Sequence, residues 1–313
     1  MFRFLLGRLV AMVATVLVVA MAVFLVLTVI PGDAARLMVG PEAKPERYAA
    51  ARKALELDQP WPVRLGNWIW RALHGDLGAS WRYPGWSVVS LLGQGLQITF
   101  PLAFLASLLS FVLGVLLGVA SAAQLGRPPD LLLSGLSQLG LALPEFWLGI
   151  LLILVFSVRG QLLPAGGFPG WTGERAWAYL LLPALTLALP RVAYFARLTR
   201  AVLADVLLLD FVRTARAKGL GERGVLLRHA LRNALIPLVA GLGLTFGRLL
   251  AGALVVEQVF SLPGLGRYAV EAAFGRDIPL LLGLAVVAAA AVAGVSTVAE
   301  ILYGFLDPRV RAA

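Results

Sequence analysis

Glu145, Arg248 and Glu257 stand inside long stretches that are otherwise largely apolar. A charge at the centre of a bilayer costs roughly 2.5–3.5 kcal/mol on insertion scales, so each marks a pairing, a water-lined path or an ion relay. Enzyme chemistry has little else to draw on. The chain has no Cys, hence no thiol nucleophile, disulfide or thiolate metal site, and its two histidines, His74 and His229, lie outside the apolar runs. No H-E-x-x-H, G-x-S-x-G or G-x-x-x-x-G-K-[ST] occurs, and none of the lysines (Lys44, Lys53, Lys218) stands in a phosphate-loop frame. An intramembrane hydrolase lacks its nucleophile and base, and the chain carries no phosphate loop of its own. The expectation is no catalytic residue, no metal site, no cofactor bound by this chain and no nucleic-acid partner.

Hydropathy sets the elements that must hold those three charges. Of 313 residues, 60% are hydrophobic and 14% charged, with a mean hydropathy of +0.86. A soluble domain carries about 25% charged residues. The chain is therefore an integral membrane protein, not a water-soluble globule or a disordered coil. About 20 apolar residues make a helix that crosses a bilayer core of about 30 Å, and six runs qualify: 9–30, 96–124, 131–157, 177–189 continuing through 194, 235–260 and 279–305. Strands of a barrel, with their alternating pattern, are absent, so the spans are helical. The first run is too long for the apolar part of a secretory signal and no small-x-small site follows it, which predicts a retained helix. Counted over short segments, Lys and Arg number 14 on the N-terminal side of the membrane and 4 on the other. The positive-inside rule then places both termini in the cytoplasm of a multi-pass protein of the cytoplasmic (inner) membrane.

This divides the chain into a tail and first helix (1–30), an external segment (31–95) and a five-helix core (96–313). The external segment holds five of the eight tryptophans, Trp61, Trp68, Trp70, Trp81 and Trp86, fitting an aromatic belt at the headgroups or a landing surface for an external partner. Residues 48–57 have helical composition, ended by Gln59-Pro60. On the opposite side, 190–235 carries nine basic and three acidic residues. Two short helices separated by Gly219-x-Gly221 are expected there, since glycine admits the positive φ of a sharp turn. That segment reads either as a basic loop that fixes topology and touches anionic lipid or as a docking knob.

Spacing adds three faces. Ser107, Ser110, Gly114, Gly118 and Ser121 form a small-residue face on the second span, suited to close helix packing, and Gly243 and Gly247 make a further G-x-x-x-G pair. Ser134, Gln138, Glu145 and Gly149 form a polar stripe on the third span; Gly241, Thr245, Arg248 and Gly252 form one on the fifth. Glu145 and Arg248, of opposite charge at similar expected depth, are either a structural pair or separate groups lining a substrate path with Gln138 and Thr245.

At the basic segment the sequence resembles the transmembrane permease subunits of ABC importers, in the dipeptide/oligopeptide branch. Aligned on Gly219, the family's Glu-Ala-Ala signature falls on Arg213, Thr214 and Ala215; Ala215, Gly219 and Leu231 fit its general form, and R-T-A-R-A-K-G-L followed by R-H-A-L-R-N-A-L-x-P looks like the peptide branch's own version. Three other stretches agree: Leu57-Asp58-Gln59-Pro60 with Gly75-Asp76-Leu77-Gly78, Phe146-Trp147-Leu148-Gly149, and Val256-Glu257-Gln258-Val259-Phe260 leading to Pro263-Gly264-Leu265-Gly266. The resemblance runs from about residue 1 to 310.

It implies an all-α, six-helix, type I permease-like fold and an importer of several chains. A second, similar permease completes the path, two cytoplasmic ABC ATPase subunits bind ATP and Mg, an external substrate-binding protein delivers cargo, and lipid surrounds the whole. The ATPase-coupling loop would lie in 205–235, with Lys218, Gly219, Leu220, Gly221, Glu222 and Arg223 in an ATPase cleft, supported by Arg213, Thr214, Ala215, Arg216 and Ala217. Peptide is the cargo the resemblance implies first; the branch also includes carriers of glutathione, nickel complexes and oligosaccharides. An ion-coupled carrier, with Glu145 and Glu257 as relays, is a distant alternative, opposed by the basic knob and by the lack of an inverted repeat.

Overall fold

The computed structural model describes residues 2–29, 34–40, 42–54 and 56–306. Residue 1 and residues 307–313, on which the placement of the two extreme termini rests, lie outside them. Among the described residues the chain is helical, with one isolated antiparallel bridge between Ala79 and Ser87. In order the helices are α1 (Phe2–Val29), α2 (Ala34–Val39), α3 (Pro45–Ala54), α4 (Trp61–Leu73), α5 (Val88–Ala122), α6 (Pro128–Ala142), α7 (Glu145–Leu152), α8 (Ala176–Val206), α9 (Asp210–Ala217), α10 (Glu222–Gly224), α11 (Leu231–Gly252), α12 (Leu254–Val259), α13 (Leu265–Gly275) and α14 (Ile278–Leu306). A wide-turn π segment, Ile153–Arg159, extends α7, and a second, Val225–Ala230, joins α10 to α11. Five helices are long and apolar enough to cross a membrane; α6 with α7 makes a sixth crossing when the bent pair is taken as one span.

That third crossing is not the straight helix its hydropathy suggests. α6 and α7 meet at 101°. The cause is local: Pro144 clashes with an α-helical conformation of the residue before it, and Leu143 is extended (φ −79°, ψ 129°). The bend ends the expected stripe, because Ser134 and Gln138 lie on one side of it while Glu145 and Gly149 lie on the other.

Further boundaries move: the second crossing starts at Val88 rather than 96, and α11 of the fifth ends at Gly252, with the residues up to 260 in the separate α12. The fourth crossing runs on to Val206, well past Tyr194, so Arg197 and Arg200 stand on a helix rather than in a loop. The expected second short helix of the basic segment is not separate; it continues through the π segment into α11. In the external segment α3 spans Pro45–Ala54, and beyond Pro60 stands an amphipathic helix, α4, which buries Leu65 and Trp68 against Ala20 and Phe24 of α1 and Leu282 of α14.

The core forms where α5 lies along α8. All five small residues of the α5 face are buried, and the approach is close. A Cβ on Gly114 would lie 2.9 Å from the Val192 carbonyl, and one on Gly118 2.6 Å from that of Ala196. Around this contact Leu102, Leu180, Leu182, Leu187, Leu249 and Phe260 pack with no exposure. Gly247 of α11 faces Val292 and Val295 of α14 at ordinary contact distance, with room for a Cβ.

Candidate functional site

The basic turn stands at the end of the bundle reached by α8. Val212 and Ala215 of α9 pack against Val225 and leave the rest of the helix outward. Of the eleven candidate coupling residues, Ala215 is buried; Arg213, Thr214, Arg216, Ala217, Lys218, Gly219, Leu220, Gly221, Glu222 and Arg223 are exposed. Gly219 has φ +82°, the left-handed region that a Cβ disfavours. Gly221 does not share this role: its φ of −65° is ordinary, and it simply precedes α10. Across the turn the Arg216 guanidinium donates to both oxygens of Glu222, at 2.8 and 3.1 Å. This bidentate contact holds the Arg216 guanidinium above its ordinary pKa. The product is a short protruding turn, closed by one clip, that presents Arg213, Lys218, Arg223 and Leu220.

Glu145 does not pair with Arg248. It lies in the first turn of α7, where the positive end of the helix favours a carboxylate, and accepts a 2.8 Å hydrogen bond from Arg191 of α8. The bend at Pro144 turns it there, while α11 carries Arg248 elsewhere. Arg248 is exposed on this single chain, and no carboxylate lies within ion-pair distance of it among the described residues. Thr245 is buried at 8% exposure. Gln138 is exposed and lines a cavity between α6 and α8.

Three buried carboxylates organise the rest, and sequence reasoning assigned none of them this part. Asp130, with a fully buried side chain, accepts two hydrogen bonds from Arg200 (2.6 and 2.7 Å), one from the Gly126 amide (2.8 Å) and one from the Ser121 hydroxyl. It ties the α5–α6 turn to α8. Glu257 accepts from Thr99 at 2.6 Å and from the amides of Gly266 (2.7 Å) and Arg267 (3.3 Å), fastening α12 and the start of α13 to α5. Its oxygens are thus occupied, which leaves no place for the relay role considered from sequence. Asp277 accepts from Ser80, the Arg82 amide and the Leu280 amide, docking the stretch before α5 onto the start of α14. The signal for Asp130 was present in the letters: an acid in the first turn after Pro128-Pro129.

A bent third crossing, a long helix feeding an exposed basic turn, and a helical core closed by small residues make up a multi-pass membrane fold. The family model described as "Binding-protein-dependent transport system inner membrane component" matches residues 114–312, and that of its N-terminal region matches residues 1–81. The chain belongs to this family of ABC importer permease subunits and is a multi-pass protein of the inner membrane. It is 38% identical over 308 residues, 98% of each chain, to a Brucella abortus (strain 2308) protein whose name assigns it provisionally to a peptide transport system as permease. It is 38% identical over 313 residues, 99% of each chain, to the glutathione transport system permease protein GsiC of Salmonella typhimurium (strain LT2). Among solved structures it resembles an inward-facing form of the MetNI methionine ABC transporter, with a TM-score of 0.59 at 18% identity over 70% of this chain and 97% of that one. An amino acid ABC transporter solved with histidines gives 0.52 at 19% over 70% and 94%. At these identities the structural likeness speaks for the fold.

Proposed function

We propose that this chain is one of two permease subunits in an importer of peptides, forming half of the path and converting ATPase movement into opening of that path. The observation that carries the reading is the protruding turn at Gly219, clipped by Arg216 and Glu222 and held on a helix continuous with the fifth crossing. In this reading the segment 205–235 is the coupling loop and enters a cleft of a cytoplasmic ABC ATPase. ATP and Mg belong to two such ATPases, since no phosphate-binding frame occurs in the sequence. A second, similar permease supplies the other half of the path, and an external binding protein docks on the side of 31–95. The Lys/Arg distribution supports the orientation with the turn in the cytoplasm.

Peptide as cargo is supported by the names of the two relatives, one referring to peptide and the other to glutathione. The test is reconstitution of the complex, purified through a tag on this chain, into liposomes with its binding protein and internal ATP. Co-purification of a nucleotide-binding subunit and uptake of labelled short peptides are expected. A complex without such a subunit, or one that accumulates no peptide, overturns the reading.

A further inference from the structure

α6 and α8 enclose a cavity of about 540 Å³ lined by Ser134, Gln138, Tyr194, Arg197 and Arg200, among others. Ser134 and Gln138 are one turn apart on α6; Tyr194 and Arg197 are neighbours on the facing side of α8. The two guanidinium groups differ in kind. Arg200 is neutralised by its two hydrogen bonds to Asp130. Arg197 is exposed, and no carboxylate lies within ion-pair distance of it among the described residues.

No acidic side chain lines the cavity, so its walls carry one uncompensated positive charge. Ser134, Gln138 and Tyr194 add neutral hydrogen-bonding groups that have no side-chain hydrogen bond to the protein among the described residues. Asp130, at the start of α6, binds the α5–α6 turn. At about 1.5 Å of rise per residue, Ser134 and Gln138 lie about 6 and about 12 Å further along α6. An uncompensated cation on a membrane-crossing helix must face water or protein rather than hydrocarbon. A cavity of about 540 Å³ with hydrogen-bonding groups on both walls has room for a small anionic solute.

We propose that this cavity receives a carboxylate of the cargo as it passes, with Arg197 as its ion partner and Gln138 and Tyr194 as hydrogen-bonding neighbours, so that the permease itself favours acidic peptides. The inference rests on the peptide reading above and deepens it.

The experiment compares uptake of labelled Ala-Glu-Ala and Ala-Gln-Ala by the reconstituted complex, with the binding protein unchanged, for wild type, Arg197→Gln and Arg197→Lys. Dividing one uptake by the other and comparing variants cancels the selectivity of the binding protein. A charge-assisted hydrogen bond lost from the path lowers the Glu-to-Gln ratio about tenfold in Arg197→Gln, and Arg197→Lys recovers most of it. An unchanged ratio overturns the inference while leaving the peptide reading intact. So does uptake of both peptides falling in step and following the anionic lipid content of the vesicles, which would assign Arg197 to a headgroup. Loss of the second permease from the Arg197→Gln complex, seen by mass measurement, also overturns it, by placing a partner carboxylate there. A wild-type complex that imports neither peptide defeats the peptide reading and this inference with it.

Discussion

Arg200 of α8 holds the buried carboxylate of Asp130, on α6, with two hydrogen bonds of 2.6 and 2.7 Å. Removing one partner leaves the other charged and unmatched, the costly way to break such a pair. Asp130→Asn is expected to destabilise the subunit by about 2 kcal/mol, since Arg200 keeps some solvent. A lowered midpoint of thermal inactivation in detergent checks this. The Asp130→Asn/Arg200→Gln double variant should lose less than the two single losses summed.

Gly219 and Gly221 separate a backbone requirement from a merely small side chain. A Cβ at either position meets open space, but only Gly219 has positive φ. Gly219→Val therefore forces about 1–2 kcal/mol of strain into the turn and is expected to abolish substrate-stimulated ATP hydrolysis while the permease still inserts. Gly221→Ala should fall far behind it. Equal effects from both would show that bulk at the contact, not turn geometry, matters.

Glu145 and Arg191 should couple in a double-mutant cycle of subunit stability, by about 1 kcal/mol for a partly exposed pair. The same cycle between Glu145 and Arg248 should give nothing measurable. Coupling to Arg248 instead would contradict the pairing of Glu145 with Arg191.

Gly114→Leu drives a side chain into the Phe195 and Val192 contact. Overpacking of this kind costs about 1–3 kcal/mol or more where backbone cannot retreat. The expected result is poor accumulation of the folded subunit, read by fluorescence size-exclusion of a tagged chain. Gly126→Ala is no equivalent control, because Gly126 has positive φ; Gly135→Ala, in open space on α6, is the fair comparison and should be mild.

Glu257 is fully buried and hydrogen-bonded by two amides and a hydroxyl, so no proton relay is expected through it. ATP-driven uptake in liposomes should be indifferent to a protonophore. Uptake that collapses with the proton gradient would restore the ion-coupled alternative.

The number of apolar runs was readable because a membrane crossing is a one-dimensional property; their bounds were not, since α8 runs on through polar residues to Val206. Gly219 was readable for a similar reason: a turn is local. Leu143-Pro144 was equally local, yet averaged hydropathy hides a proline inside an apolar run, and the bend went with it. The partner of Glu145 was a different matter. Arg191 and Arg248 are both cations on neighbouring elements, and which one meets Glu145 depends on the rotation of whole helices about their axes, which residue spacing within each helix does not specify. Asp130 and Arg200 lie 70 positions apart, and nothing in either neighbourhood points to the other.

α8 is 31 residues long, about 46 Å at 1.5 Å per residue, against a bilayer core of about 30 Å. In the proposed importer that excess length lets it serve as a lever. Gly114 and Gly118 give it a close bearing on α5, Asp130 grips it near the end that leads into the basic turn, and Glu145 grips it near its middle through Arg191. A tilt of about 10° about one end displaces the other by about 8 Å, roughly the width of a peptide backbone with its side chains. In the proposed importer, motion applied at the turn would reach the far side of the membrane along α8, with Pro183 and Pro190 as the points where the helix can bend.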